Sequence, residues 1–382
     1  MANENLKNAR TAKNDEFYTQ YSDIEKEMNA YLEFDADTFR GKVVLLPCDD
    51  PEWSNFTKYF AQNFARLGLK KLISTGYALD AKPENLNLQI SLFEQQSTHF
   101  DETKARANGR IFTLERDRDG DKRVNFDDIK WEYLEGDGDF RSDEVKALRD
   151  EADIIVTNPP FSLFREFLAW VVEAEKKFVI IGNMNAITYK EVFPLIMNDK
   201  MWLGNGFQAG NAFFATPVVR DYAQGVYDNK TGLVKFRNAA WFTNLDHGRR
   251  HQPLALMTKA DNKKFSKHKE IKGVGYQRYD NYDAIEVPYT DAIPSDHEGV
   301  MGVPISFLSK YNPEQFEIIG NMDDHEQNKA IGVKPISAKF IKDYRDAGGT
   351  GAQRADGYWV GLTNPNRFPY KRIFIKNRNP SE

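Results

Sequence analysis

The segment Ile154-Ile155-Val156-Thr157-Asn158-Pro159-Pro160-Phe161 carries the strongest chemical signal in the sequence. An apolar, β-branched run reads as a buried strand, and it passes directly into Asn-Pro-Pro-aromatic. Ligands of open α/β sheets sit beyond the carboxyl ends of the strands, so the tetrapeptide is displayed at that edge. Its chemistry is that of amino-group recognition. The side-chain oxygen of Asn158 and the backbone carbonyl of Pro159 are two acceptors for the two N–H bonds of a planar amine such as N6 of adenine. That amine is a poor nucleophile because its lone pair is delocalised into the ring. Holding both hydrogens steers the nitrogen toward tetrahedral geometry and exposes the pair. Pro159 and Pro160 fix φ, so the carbonyl is in place before substrate arrives, and Phe161 offers a face for a base to stack on. The competing reading is that two prolines merely end a strand and turn the chain. No metal or general base is required, and no metal ligands are expected: His247 and His251 lie four apart without carboxylate-histidine spacing around them.

Charge adds a second signal. From Arg249 to Lys272 eight basic residues, among them Arg250, Lys263, Lys264 and Lys267, face only Asp261 and Glu270, and Arg367, Lys371, Arg372, Lys376 and Arg378 close the chain among Phe368, Tyr370 and Phe374. Either cluster alone is compatible with solvated surface; two in one half point toward nucleic acid. The whole chain, at a net charge of −5, is no histone-like binder. A single cysteine, Cys48, excludes an internal disulfide, paired-thiol redox chemistry and a multi-thiolate zinc site. The polar start, Met1 to Asp15, and the lack of an apolar run of about 18 residues give the expectation of a cytoplasmic protein without a membrane segment.

The elements that must position these residues alternate. Ile24, Met28, Tyr31 and Leu32 share one face of a short amphipathic helix. Val43 to Leu46 is a strand, Phe56 to Leu67 a helix ending at Gly68, and Leu72 to Thr75 the next strand. Strands at Asp153 to Thr157 and Phe178 to Ile181 flank a helix at Phe164 to Glu175; Ile187 to Met197 reads as a helix and Trp202 to Pro217 as paired strands. After about Asp246 the rhythm fades, apart from a helix at Pro304 to Lys310 and a strand at Ile373 to Lys376. The fold class expected is α/β, with residues 1–38 as an N-terminal segment, 39–247 as a catalytic or binding core and 248–382 as an added module. Asp117 to Asn125 with Asp128 imitates a calcium loop, but Lys122 stands where that loop needs glycine, and a hairpin loop is expected instead.

Three segments together, Asn14-Asp15-Glu16-Phe17-Tyr18-Thr19, Cys48-Asp49-Asp50-Pro51-Glu52-Trp53-Ser54-Asn55-Phe56 and Asn158-Pro159-Pro160-Phe161-Ser162-Leu163-Phe164, resemble the adenine-specific DNA methyltransferase family typified by the EcoRI modification enzyme. Met301 to Ile305 and Tyr311 to Phe316 extend the likeness, which runs over almost the whole chain. The resemblance implies a Rossmann-like core, a C-terminal recognition module, S-adenosylmethionine as donor and N6 of a flipped adenine in DNA, expected to be duplex, as acceptor. It places Phe17, Tyr18 and Thr19 in the wall of the cofactor site and Cys48, Asp49, Asp50 and Pro51 where the first strand meets its helix. The glycine-rich turn of most methyltransferases is missing there. A carboxylate at this point can meet the ammonium of the methionine moiety, with Ser54 and Asn55 a turn away, or Asp49 or Asp50 can simply cap the helix. Gly138-Asp139-Phe140 resembles the segment that binds the cofactor's adenine by a carboxylate and an aromatic face, though Gly-Asp-Gly-Asp is also an ordinary turn. Thr75 and Tyr77 fall in the ribose neighbourhood of this fold class. Trp241 is implied as an aromatic wall near the flipped base, or else as core, with groove contacts from Arg249, Arg250, Lys263, Lys264, Lys267 and Arg372. Two rivals remain at this level. One changes the acceptor to adenine in RNA or a glutamine amide in protein; the other is a DNA-binding protein that has lost transfer, which the intact Asn-Pro-Pro-Phe argues against. The sequence by itself names no restriction endonuclease partner.

Overall fold

Strand β2 (Val43–Leu46) is buried at all four positions, and that continuous apolar run makes it the centre of a sheet covered on both faces. The computed structural model describes residues 17–50, 52, 54–79, 99–116, 128–207, 211–216, 224–351, 353–363 and 367–381. They divide into two compact units: residues up to Met184 with Leu203–His247, and Asn185–Trp202 with Gly248–Glu382.

In the first unit, β1 (Tyr18–Thr19) leads into α1 (Tyr21–Phe34), whose Ile24, Met28 and Tyr31 are fully buried. After β2 come α2 (Asn55–Gln62), α3 (Phe64–Leu67) and β3 (Lys71–Gly76). The expected single helix is therefore two, broken at Asn63, and its N-cap is Ser54 rather than Asp49 or Asp50: the Phe56 N–H donates to Ser54 Oγ at 3.0 Å. β4 (Arg110–Leu114) and β5 (Lys130–Tyr133) are antiparallel additions to one edge; then α4 (Asp143–Glu151), β6 (Ile154–Thr157), α5 (Phe164–Glu173) and β7 (Lys177–Asn183) complete the middle. The remaining strands are β8 (Trp202–Leu203), β9 (Ala212–Ala215), β10 (Tyr227–Asp228), β11 (Leu233–Phe236) and β12 (Ala239–Thr243).

The large sheet has the order β5-β4-β3-β2-β6-β7-β12-β8, with β3, β2, β6 and β7 mutually parallel. The chain leaves β2 toward β3 on one side and returns to β6 on the other, so the topological switch point lies between β2 and β6. A smaller antiparallel sheet, β1-β9-β11-β10, holds Tyr18 opposite Ala215 and Thr19 opposite Phe214. The expected pairing within Trp202 to Pro217 does not occur: β8 and β9 belong to different sheets, while Gly210 and Pro217 lie outside the described residues.

The second unit has a sheet of its own, which corrects the expectation that regular structure fades after Asp246. β13 (Ala284–Glu286), β14 (Val300–Pro304), β16 (Arg372–Asn377) and β15 (Phe316–Asn321) are arranged in the order β13-β14-β16-β15. Its helices are short: α6 (Phe193–Met197), α7 (Lys259–Phe265), α8 (His325–Ala330) and α9 (Ala338–Asp346). Two expected helices shrink here. Ile187 to Met197 becomes a 3-10 turn and α6, with Pro194 in its first turn, and Pro304 to Lys310 becomes a 3-10 turn over Ile305–Lys310. No helix among the described residues is long and apolar enough to cross a membrane.

Candidate active site

The switch point brings the two main sequence signals together. Asp49, beyond the end of β2, accepts Thr157 Oγ1–H at 2.5 Å from the last residue of β6 and Ser54 Oγ–H at 2.8 Å, and it also accepts the backbone N–H of Asn158. Both carboxylate oxygens are thus engaged inside the fold. Asp49 thereby positions the strand end that carries Asn158. Asp50 is likewise committed, to the buried Arg110 guanidinium at 2.7 Å, which also holds Glu52 at 3.2 Å. Ser54 caps α2, and Asn55 donates from Nδ2 to the Thr19 carbonyl at 2.8 Å, tying α2 to β1. Pro51 lies outside the described residues.

Asn158 Nδ2 donates to the Phe17 carbonyl at 2.6 Å. That bond fixes the amide's orientation and leaves Oδ1 as the opposite face, where it is buried without a hydrogen-bond partner. Thr19 Oγ1 is a second buried polar atom without a partner. Asn158 Oδ1 and Thr19 Oγ1, two residues along from the Phe17 that holds the Asn158 amide, are both left with acceptor capacity. Phe161 stacks on Phe17 at 6.2 Å between ring centroids and packs edge-on against Phe214 at 6.2 Å and Phe236 at 5.5 Å. The motif's aromatic residue therefore stands in a cage drawn from Phe17, just before β1, and from β9 and β11. Sequence reasoning missed Phe214 and Phe236, as it missed Thr157 and Arg110. Nothing in the local pattern distinguishes these residues from ordinary strand positions.

Tyr77, Cys48 and Asp139 converge at the next strand ends. Burial, then the neighbouring Cys48 and Asp139, hold the Tyr77 hydroxyl well above its ordinary pKa. The loop carrying Asp139 is docked on β3 by the Ala78 N–H, which donates to the Asp137 carbonyl at 2.8 Å, and by close backbone packing: a Cβ on Gly138 would lie 2.6 Å from the Gly76 carbonyl. Asp139 pairs with Arg141 at 2.6 Å. Phe140 departs from its expected role, being fully buried against Phe167 and Trp170, so it offers no face to a ligand. Thr75 is also fully buried and donates to the Pro47 carbonyl at 3.1 Å.

Three of the expected DNA contacts are internal. Trp241 is 1% exposed and stacks on Phe207 at 5.4 Å, which settles it as core. Arg250 is ion-paired with Asp199 and lies 3.8 Å over the Trp202 ring. Arg372 is buried against Glu286 at 2.5 Å. Arg249 is half-buried in a 3-10 turn, Lys263 and Lys264 are exposed on α7, and Lys267 is exposed but paired with Asp291 at 2.7 Å. The calcium-like loop, apart from Asp128, lies outside the described residues. Among those residues no group of three or more His, Cys, Asp or Glu could hold a metal.

The sequence profile described as adenine-specific methyltransferase EcoRI matches residues 5–378. The chain belongs to this family. It is 44% identical over 320 residues to the type II methyltransferase M.EcoRI of Escherichia coli, covering 83% of this chain and 89% of that one. It is 34% identical over 317 residues to M.MpnI of Mycoplasma pneumoniae, covering 81% and 83%, and 33% identical over 320 residues to M.MgeORF184P of Mycoplasma genitalium. No solved structure matches. As a family member the protein is an adenine-specific DNA methyltransferase, and its methyl donor is S-adenosylmethionine.

Asp49 is expected to give the site a pH dependence. Burial pushes its carboxyl up to about 7, against the pull of Thr157, Ser54 and the Asn158 N–H, with Asp50 pushing in the same direction as burial. The folded pKa lies above the unfolded value. Folding is therefore most favoured by this group below about pH 4, and that contribution is lost as pH rises toward 7. The geometry asks for the opposite form. Three donors converge on the anion, and a proton on Asp49 leaves one of them unmatched, at a cost of about 1 kcal/mol. The transfer rate should rise about fivefold through pH 7 in single-turnover assays, and Asp49→Asn should flatten that step; the same step in the variant would remove Asp49 from the account.

Proposed function

We propose that the switch-point site binds an adenine flipped out of duplex DNA, with Asn158, Pro159, Pro160 and Phe161 as the residues that meet the base. The carrying observation is the Asn158 amide, turned by the Phe17 carbonyl so that its buried Oδ1 lacks a partner. Oδ1 accepts one N6–H and the Pro159 carbonyl the other, which draws the nitrogen's lone pair out of the ring system and aims it away from both acceptors. Phe161, steadied by Phe17, Phe214 and Phe236, stacks the base and recovers part of the cost of unstacking it from the duplex. The Rossmann-like order of β3, β2, β6 and β7 supports a donor site at their carboxyl ends, lined by Phe17 to Thr19, Cys48, Tyr77 and Asp139. Bound S-adenosylmethionine supplies an electrophilic methyl group on its sulfonium.

The second unit, with its exposed lysines on α7, is the target-recognition module in this reading. Transfer of labelled methyl to duplex DNA, single-stranded DNA and RNA, followed by digestion to nucleosides, is the test. N6-methyladenine from duplex DNA is expected. Label confined to RNA or to protein would sink the reading.

A further inference from the structure

The second unit holds a cleft of about 380 Å³ lined by Lys259, Lys263, Tyr276, Arg278 and His297, with Val274 among the apolar residues and no carboxylate in the lining. Lys259 and Lys263 are i and i+4 on α7, so they share a face. Neither ammonium has an ion-pair partner among the described residues, whereas the neighbouring Lys267 and His268 both pair with Asp291. Among the described residues Arg278 pairs only with the exposed Asp283. Like charges so gathered repel one another until an anion joins them. The histidine registers that field: burial first and then Lys259 hold His297 below its usual range, with Arg278 adding to the effect and Asp296 opposing it.

The charge continues past the cleft. Lys264, Lys269 and Lys272, neighbours in sequence of the lining residues Lys263 and Val274, are exposed, as are Phe265 at 59% and Val274 at 66%. The Gly273 N–H, donating to the Lys263 carbonyl at 2.8 Å, fastens the loop that carries Lys272 and Val274 to α7. A small anion needs only the cleft; further basic residues beyond its lining fit a polyanion.

We infer that this cleft seats a backbone phosphate of the DNA substrate, with Lys259 and Lys263 as its principal contacts. The inference rests on the DNA reading above. Its test is duplex binding by fluorescence anisotropy between about 50 and 300 mM salt for the wild type, Lys259→Gln/Lys263→Gln, and a control, Lys339→Gln/Lys342→Gln, on the exposed face of α9. The cleft variant should bind about tenfold more weakly at 0.1 M salt for every sequence tried, with the slope of log affinity against log salt reduced by about one. Its melting temperature should stay at the wild-type value. An unchanged slope, or an equal loss in the control, overturns the inference. So does a loss confined to one sequence, which would mark a base contact, or inorganic phosphate binding abolished by the substitutions with DNA binding intact, which would mark a small-anion site. A wild type that neither binds nor methylates DNA overturns the proposed function itself, and this inference with it.

Discussion

Asn158→Ala should lower the single-turnover rate of methyl transfer by about 10²–10³, the usual cost of deleting one preorganised polar contact to a reacting group. Two losses coincide in this variant. The acceptor for N6–H disappears, and so does the Nδ2–H bond to the Phe17 carbonyl that joins β1 to the motif. Asn158→Asp separates them. An aspartate keeps an acceptor toward the substrate, but turns an oxygen without a proton toward the Phe17 carbonyl, so its loss should be smaller and should lessen at lower pH as that oxygen gains a proton. Thermal stability should fall by only about 1 kcal/mol for Asn158→Ala, the cost of the bond to Phe17, because Thr157 and the Asn158 N–H still engage Asp49. Near-normal turnover in Asn158→Ala would remove the amine-binding role and return the tetrapeptide to a structural turn.

Why this motif is legible in the sequence, and its surroundings less so, follows from how each is encoded. Ile154 to Thr157 is a strand buried along its whole length, so its apolar run marks it locally, and Asn-Pro-Pro has few conformations to choose from. The cage around Phe161 is encoded nowhere near it: Phe214 and Phe236 arrive on strands of a different sheet. Charged residues mislead for the same reason. Arg250 and Arg372 sit in basic stretches and look exposed by composition, yet each finds a carboxylate far along the chain, Asp199 or Glu286, and is buried with it. Asp49 could be placed at the strand end, but a capping role and a ligand role use the same residue type. Only the positions of Thr157 and Ser54 show that its oxygens are used within the fold. The sheet of the second unit was less legible because its neighbours are far apart in sequence: β14 pairs with β16 across residues 305–371, and β13 has only three residues.

Arg372→Leu should act on stability far more than on DNA affinity. The Arg372 guanidinium donates from Nε to Glu286 at 3.0 Å and from Nη2 at 2.5 Å, while Nη1 donates to the Tyr370 carbonyl. Glu286 is 3% exposed and also accepts the Tyr279 hydroxyl, whose pKa is raised by burial and by that carboxylate. The three groups form one network linking β13 to β16, and the lack of a side chain at Gly302 makes room for it: a Cβ there would meet Tyr279 Oη at 2.0 Å. Removing the arginine leaves a buried carboxylate with a single neutral donor, a defect of about 3–5 kcal/mol. In a unit of this size that corresponds to a fall of about 10 °C in melting temperature. Arg372→Leu/Glu286→Leu removes both charges and should recover most of the loss, because the penalty belongs to the unpaired carboxylate rather than to the missing pair. If Arg372 met DNA instead, the single variant would melt near the wild type, its salt slope for duplex binding would fall by about one, and the second substitution would restore nothing.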